Sequence, residues 1–219
     1  MIESASTLKK IATDLPAAAR VFARHRLDFC CHGQRSLAEA CVEKGIDPGA
    51  LAEEIERASS QSSLPSWAGR PSSELIDFIL QRYHAGLRDE VAGLLALAEK
   101  VERVHAEKPA CPRGLAAHLG QVLSALESHL DKEEQILFPL IRAGGGADAR
   151  TPISVMMREH EDHGASLSRT RELTNDLVAP PEACGSWRAL YQGLARLETD
   201  LMEHIHLENN VLFPGALRE

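Results

Sequence analysis

Apolar residues recur at three- and four-residue spacing along most of the chain, and the interruptions of this spacing divide it into helices. In the first part, amphipathic stretches cover 8–15, 16–27, 36–44 and 47–59, the last with Asp47 as N-cap and Pro48 in the first helical position. The segment 59–73 is rich in Ser, Pro and Gly and reads as a linker. Beyond it the spacing predicts four longer helices over 73–105, 112–143, 153–177 and 183–217. Their breaks fall at Pro109 to Pro112, at Gly144 to Pro152 and at Pro180-Pro181. Short connections between long helices imply an antiparallel four-helix bundle, so the expected fold is all-α. The expected organisation is a small helical unit at 1–58, a linker at 59–73 and the bundle at 74–219. A core of fewer than about 60 residues is marginal, which predicts that the small unit leans on a partner surface.

Composition narrows the function. The 219 residues carry a net charge of −8, which argues against nucleic acid or an anionic membrane as partner, since both need a basic face. Aromatic residues make up only 4%, in keeping with helices packed by aliphatic side chains. No stretch of about 18 apolar residues occurs, and the first sixteen residues have no apolar run behind their lysines, so a cytoplasmic location is expected. Five cysteines without scaffold spacing fit a reducing compartment. Ten histidines remain to be explained.

An internal repeat explains several of them. HLDKEEQILFP at 129–139 and HIHLENNVLFP at 204–214 coincide under a shift of 75 at His129 and His204, Glu133 and Glu208, Leu137 and Leu212, Phe138 and Phe213, and Pro139 and Pro214. On the preceding helices His84 and His160 correspond under a shift of 76. Each half thus supplies one His and one His-x-x-x-Glu, whose two side chains share a helix face. The neighbours of His129 at helical spacing are Val122, Leu126, Ile136, Leu137 and Leu140, and those of His204 are Leu197, Leu201, Val211 and Leu212. Leu80, Leu87 and Val91 flank His84, and Met156, Met157 and Leu167 flank His160. All six polar residues therefore face the core, where an unpaired carboxylate is costly. A single core His is satisfied by a hydrogen bond, but four His and two Glu with two-fold pseudo-symmetry point to metal. They are too many for one tetrahedral zinc, and no Cys stands at zinc-site spacing. Two ions, each with two His and sharing two carboxylate bridges, fit the count. Imidazole and carboxylate together suit iron, with manganese and zinc the alternatives that share these donors. An open position on each ion would admit O₂ or NO.

These residues resemble the hemerythrin-like di-iron bundle and, more closely, the repair of iron centres (RIC) family with its ScdA-type N-terminal domain. The resemblance spans essentially the whole chain. It rests on DFCCHG at 28–33, RYH at 82–84, KVERVHAEKP at 100–109, SHLDKEEQILFP at 128–139, PISVM with the following EH at 152–160, and LENNVLFP at 207–214. It implies His84, His129, Glu133, His160, His204 and Glu208 as ligands of two iron ions per chain; the ligand count leaves room for an oxo or hydroxo bridge between them. It further implies a cytoplasmic homodimer that restores iron-sulfur proteins damaged by nitric oxide or oxidants; reduction of NO at the metal pair would need an external electron donor, since the sequence shows no electron-transfer domain. One departure is present: the family motif ends in Cys-Cys-Gly-Gly, whereas His32 replaces the first Gly here. A turn that needs positive φ would resist this His; alternatively the ring adds a ligand beside the thiols.

Cys30 and Cys31 are read as an exposed pair at a helix end, with His32 and Arg35 placed to lower a thiol pKa and a thiol role in binding iron, passing electrons or taking up NO. Cys41, Cys111 and Cys184 are read as structural. His163, His25 and His105 are placed at the surface, His118 in the core or behind the ligands, and His206 on a face different from that of His204. Glu134 and Glu159 are read as solvated. Three functions follow: iron-sulfur repair by iron donation, reduction of NO to N₂O at two adjacent ions, and reversible sensing or buffering of NO or O₂.

Overall fold

Local start and stop signals set the N-terminal helices of the computed structural model, which describes residues 2–62, 65–67 and 69–218. Thr7 caps α1 (Leu8–Asp14), and a Ser36–Glu39 capping box opens α3 (Leu37–Lys44). Asp47 accepts the Ala50 N–H at 2.8 Å to open α4 (Pro48–Ser60). Together with α2 (Ala18–Arg24) they close over a core of Leu8, Phe22, Phe29, Leu37, Leu51 and Ile55. Of the expected linker, Ser63, Leu64 and Ala68 lie outside the described residues, as do Met1 and Glu219 at the ends of the two expected units. Trp67 is buried against Phe78 at 4.9 Å between ring centroids, so part of this segment is anchored to the bundle.

Three of the four bundle arms are broken by a π-turn. The first arm is α5 (Ser72–Ile79), a π-turn at Leu80–His84 and α6 (Ala85–Val104). The second is α7 (Leu115–Lys132), a π-turn at Glu133–Leu137 and α8 (Phe138–Arg142). The third is α9 (Gly146–Leu173), and the fourth is α10 (Gly185–Leu207), a π-turn at Glu208–Leu212 and α11 (Phe213–Ala216). The π-turns of the second and fourth arms are repeat equivalents and begin at the glutamates. Each inserts one residue into the helical count, which rotates Ile136 out to 53% exposure while Leu137 and Phe138 become buried. Simple helical spacing from His129 places Ile136 in the core, so that expectation is corrected.

Two further boundaries differ from the sequence reading. Helix α9 begins at Gly146, leaving Pro152 inside it. The missing Pro N–H frees the carbonyl of Asp148, an exposed residue whose carbonyl water can hydrate. The same helix stops at Leu173 because Asn175, Asp176 and Leu177 all take positive φ. Thr174 Oγ1 accepts the Leu177 N–H at 3.2 Å, and Arg171 binds Asp176 at 3.3 Å, which holds this left-handed turn.

The polar site lies between two apolar clusters. One contains Val91, Leu119, Leu126, Leu130, Trp187 and Leu201; the other contains Ile76, Ile79, Leu137, Phe138, Met156 and Phe213. The N-terminal unit leans on the fourth arm, with Arg20 paired to Glu203 at 2.9 Å and Phe29 packed on His206 at 5.4 Å. Arg26, itself at φ 56°, reaches Asp176 at 2.6 Å.

The DFCCHG loop carries a steric constraint. A Cβ on Gly33 would stand 2.3 Å from the Phe29 carbonyl oxygen, whereas His32 does not adopt positive φ. Gly33→Ala is therefore expected to destabilise the protein by about 1–3 kcal/mol through overpacking. His32→Gly should change stability by less than about 1 kcal/mol, since it removes an exposed ion pair. Urea denaturation of the two variants checks this order.

Candidate metal centre

The bundle brings the six predicted ligands together. His84, His129, His160, His204, Glu133 and Glu208 are each no more than 4% exposed. They form two groups of four, His84, His204, Glu133 and Glu208 in one and His129, His160, Glu133 and Glu208 in the other. Both glutamates belong to both groups. Glu208 Oε1 lies 3.0 Å from His204 Nε2 while its Oε2 lies 3.2 Å from His160 Nε2. Glu133 Oε2 lies 3.5 Å from His84 Nε2 and its Oε1 3.4 Å from His129 Nε2. Each carboxylate thus turns one oxygen to each histidine pair.

Outer residues orient the rings. His84 Nδ1–H donates to Glu134 at 3.0 Å, His129 Nδ1–H to Glu159 at 2.9 Å and His160 Nδ1–H to Asn209 Oδ1 at 2.8 Å. Placing the proton on Nδ1 leaves the Nε2 lone pair free. His204 instead stacks on Tyr83, with 5.4 Å between centroids and 7° between planes. Glu134 is held by Arg88 at 3.2 Å and Glu159 by Lys132 at 2.5 Å. The two glutamates are therefore partners of the ligands, which corrects their reading as solvated. The repeat carries the signal: Glu134 and Asn209 correspond under the shift of 75, and Tyr83 and Glu159 under the shift of 76.

The arrangement fits divalent metal. Nε2 atoms face each other at 3.1 Å in the His84–His204 pair and at 3.2 Å in the His129–His160 pair. With the outer protons fixed on Nδ1 of His84, His129 and His160, lone pair confronts lone pair between the last two. Two imidazole nitrogens each about 2.1 Å from one ion stand about 3.0 Å apart at a right angle and about 3.4 Å at the tetrahedral angle. Both observed spacings fall in that interval. Neither Glu133 oxygen has a hydrogen-bond donor, at zero exposure. Burial, and next the charge of Glu208, push the Glu133 carboxyl well above its ordinary range. Burial and the neighbouring His204 take His84 down to about 4, while burial and His160 take His129 down to about 2. Neutral imidazole is the metal-binding form.

Other expectations are corrected here. His163 is buried, not at the surface, with its ring edge-on to His129 at 4.8 Å. His105 is also buried, beside Trp187 at 5.1 Å. His206 does lie off the ligand set, buried on Phe29 with Asn210 3.1 Å from its Nδ1. His118 stands away from the ligands, 3.0 Å from Thr170 Oγ1, and His25 pairs with Glu54 at 2.8 Å. Met157, expected beside His160, is 46% exposed. Cys30 and Cys31 are not at a helix end: they lie in a bend docked on the bundle, Cys30 only 6% exposed. The adjoining Cys31 thiol, burial and the charges of Cys31 and Asp28 push the Cys30 thiol well above its ordinary range, opposite to the expected lowering.

No helix among the described residues is long and apolar enough to cross a membrane. Residues 75–216 match the hemerythrin HHE cation binding domain, and residues 4–59 match the ScdA N-terminal domain, described as a domain of unknown function (DUF542). The "Iron-sulfur cluster repair protein YtfE" of Yersinia pestis (strain Pestoides F) is 47% identical over 213 residues, covering 97% of this chain and 96% of that protein. The protein of the same name from Yersinia pseudotuberculosis serotype O:1b (strain IP 31758) is 46% identical over the same length, with the same coverage. The identity runs through both the small unit and the bundle, so the chain belongs to the repair of iron centres (RIC) family of hemerythrin-like proteins.

Proposed function

We propose that His84, His129, Glu133, His160, His204 and Glu208 hold two iron ions bridged by the two glutamates, and that the protein repairs iron-sulfur clusters damaged by nitric oxide or oxidants. One observation carries the site: each buried carboxylate addresses both histidine pairs. The repair role is supported by relatives named for iron-sulfur cluster repair that align over 97% of the chain. Iron bound at this centre supplies a redox-active metal pair and a source of ferrous iron. The chain's own residues keep the His84 and His129 imidazoles neutral, fix the tautomers of His84, His129 and His160, and seal the site between two apolar clusters. In this reading the unit at 1–58 and the bundle at 74–219 act together. The close approach of the two ligand groups favours a second reading, NO reduction to N₂O.

Metal content and stability test the site together. Glu133→Leu is expected to bring iron below one ion per chain, because it removes a donor from both groups, whereas His84→Leu retains about one. In iron-depleted protein, Glu133→Gln should raise the thermal midpoint, since it removes a buried carboxylate that lacks a donor. The same variant should lower the midpoint of iron-loaded protein. A purely polar core predicts a loss of stability under both conditions. Glu134→Ala and Glu159→Ala should each weaken metal affinity about 10–100-fold in chelator competition, since each removes the acceptor of a ligand's Nδ1–H.

Function is tested by adding iron-loaded protein to a [4Fe–4S] enzyme inactivated by NO. Recovery of activity that fails with Glu133→Leu supports repair. Catalytic N₂O release with a reductant, and no recovery, would replace it with NO reduction.

A further inference from the structure

Outside the buried centre, the chain gathers a second set of metal-binding groups at the seam between its two units. Asp28 Oδ1 lies 3.4 Å from Cys30 Sγ, and the two sulfurs of Cys30 and Cys31 are 3.7 Å apart. Two thiolates at about 2.3 Å from one tetrahedral ion stand about 3.8 Å apart, and a thiolate and a carboxylate oxygen at about 2.0 Å stand about 3.5 Å apart. Both spacings thus match ligands of a single ion, and all three donor atoms lie within 4.8 Å of one another.

The loop is built to keep them so. Asp28 Oδ1 accepts the Cys31 N–H at 3.0 Å and the His32 N–H at 3.3 Å, which fixes the carboxylate over the bend. His32 Nδ1–H donates to the outer oxygen, Asp28 Oδ2, at 2.6 Å. This is the second-layer contact that orients a ligating carboxylate, and it comes from the residue that departs from the family motif. Asn209 and Asn210 grip the Cys30 carbonyl at 3.4 Å and 3.1 Å from the fourth arm. One side is walled by the bundle and the other is open, with the Asp28 and His32 side chains 37% and 70% exposed.

We infer that Asp28, Cys30 and Cys31 form a second divalent-metal site, with His32 as a positioning residue and one coordination position open. Binding is M²⁺ plus two thiols giving the dithiolate complex and two protons, with no change of oxidation state. Three protein ligands and an open position mark a site of exchange, in contrast to a closed structural site. Thiolates with one carboxylate suit ferrous iron or zinc. Its place supports passage of metal: Cys31 Sγ is 3.8 Å from the His160 carbonyl oxygen, and Asn209 touches both the Cys30 carbonyl and the His160 ring. That role as a loading point rests on the repair reading; the site itself does not.

Cobalt(II) reports on it separately, because the buried centre contains no thiolate. Anaerobic titration of the iron-loaded full chain with Co²⁺ should give near-ultraviolet thiolate-to-cobalt absorption saturating at one ion per chain. Cys30→Ser and Cys31→Ser should each remove or sharply reduce that band while the core iron content stays unchanged, which also verifies folding. Cys184→Ser should leave it intact. Asp28→Asn should weaken Co²⁺ binding at least about tenfold, and His32→Gly should weaken it less. A band that persists in the Cys30→Ser, Cys31→Ser double variant, or no band at stoichiometric cobalt, overturns the site. If cobalt binds as expected but repair of an NO-treated enzyme fails, the loading role and the repair reading fall and the site stands.

Discussion

Two carboxylates sealed at zero exposure among four inward-facing imidazoles set the terms for the rest of this structure. Without a cation, burying Glu133 and Glu208 together opposes folding, and the facing Nε2 atoms add repulsion wherever both rings carry the proton on Nδ1. With two divalent ions the same atoms become attractive, so ligand binding and folding share one free energy. The surroundings make sense on these terms. Apolar clusters above and below exclude water, which strengthens the charge interactions inside. The outer residues Glu134, Glu159 and Asn209 place the proton of His84, His129 and His160 on Nδ1 and leave their Nε2 free for metal.

The small unit is held by the same stretch of chain that builds the centre. Within eight residues of the fourth arm, Glu203 binds Arg20, His204 and Glu208 enter the ligand set, His206 packs on Phe29, and Asn209 and Asn210 hold the Cys30 carbonyl. Alternation of inward and sideways positions along α10 and its π-turn makes this possible. A change in the geometry of the buried ligands therefore bears directly on the thiol-bearing loop. The short helices α1–α4 depend in turn on this docking, since their own core is small.

The bundle and the clustering of its six candidate ligands were legible because they repeat. His129-x-x-x-Glu133 and its copy at 204–208 stand out from a single sequence, and helical spacing alone places both on core faces. The π-turns left no such mark. They widen the helix just after each glutamate, so spacing that holds up to His129 misplaces Ile136. His163 and His105 were read as surface residues because nothing local distinguishes a buried imidazole from an exposed one; their burial comes from neighbours distant in sequence. The thiol pair shows the same limit. Basic neighbours in sequence suggested a lowered pKa, whereas in space Cys30 faces the other sulfur and the Asp28 carboxylate.

The repeat has diverged in its outer partners without unbalancing the two halves. His84 is backed by Glu134 and His129 by Glu159, whereas their repeat equivalents His160 and His204 are backed by the neutral Asn209 and Tyr83. Each histidine pair therefore contains one ring held by a carboxylate and one held by a neutral group. Arg88 and Lys132 compensate the two outer carboxylates, so this layer adds no net charge. Before any oxo or hydroxo bridge is counted, the proposed occupancy sets two divalent ions against Glu133 and Glu208, so the protein's own donors leave the centre positive. A positive, water-excluded pocket favours small anionic or electron-rich ligands. Each shared carboxylate attracts both ions, so loss of either one exposes the repulsion between them.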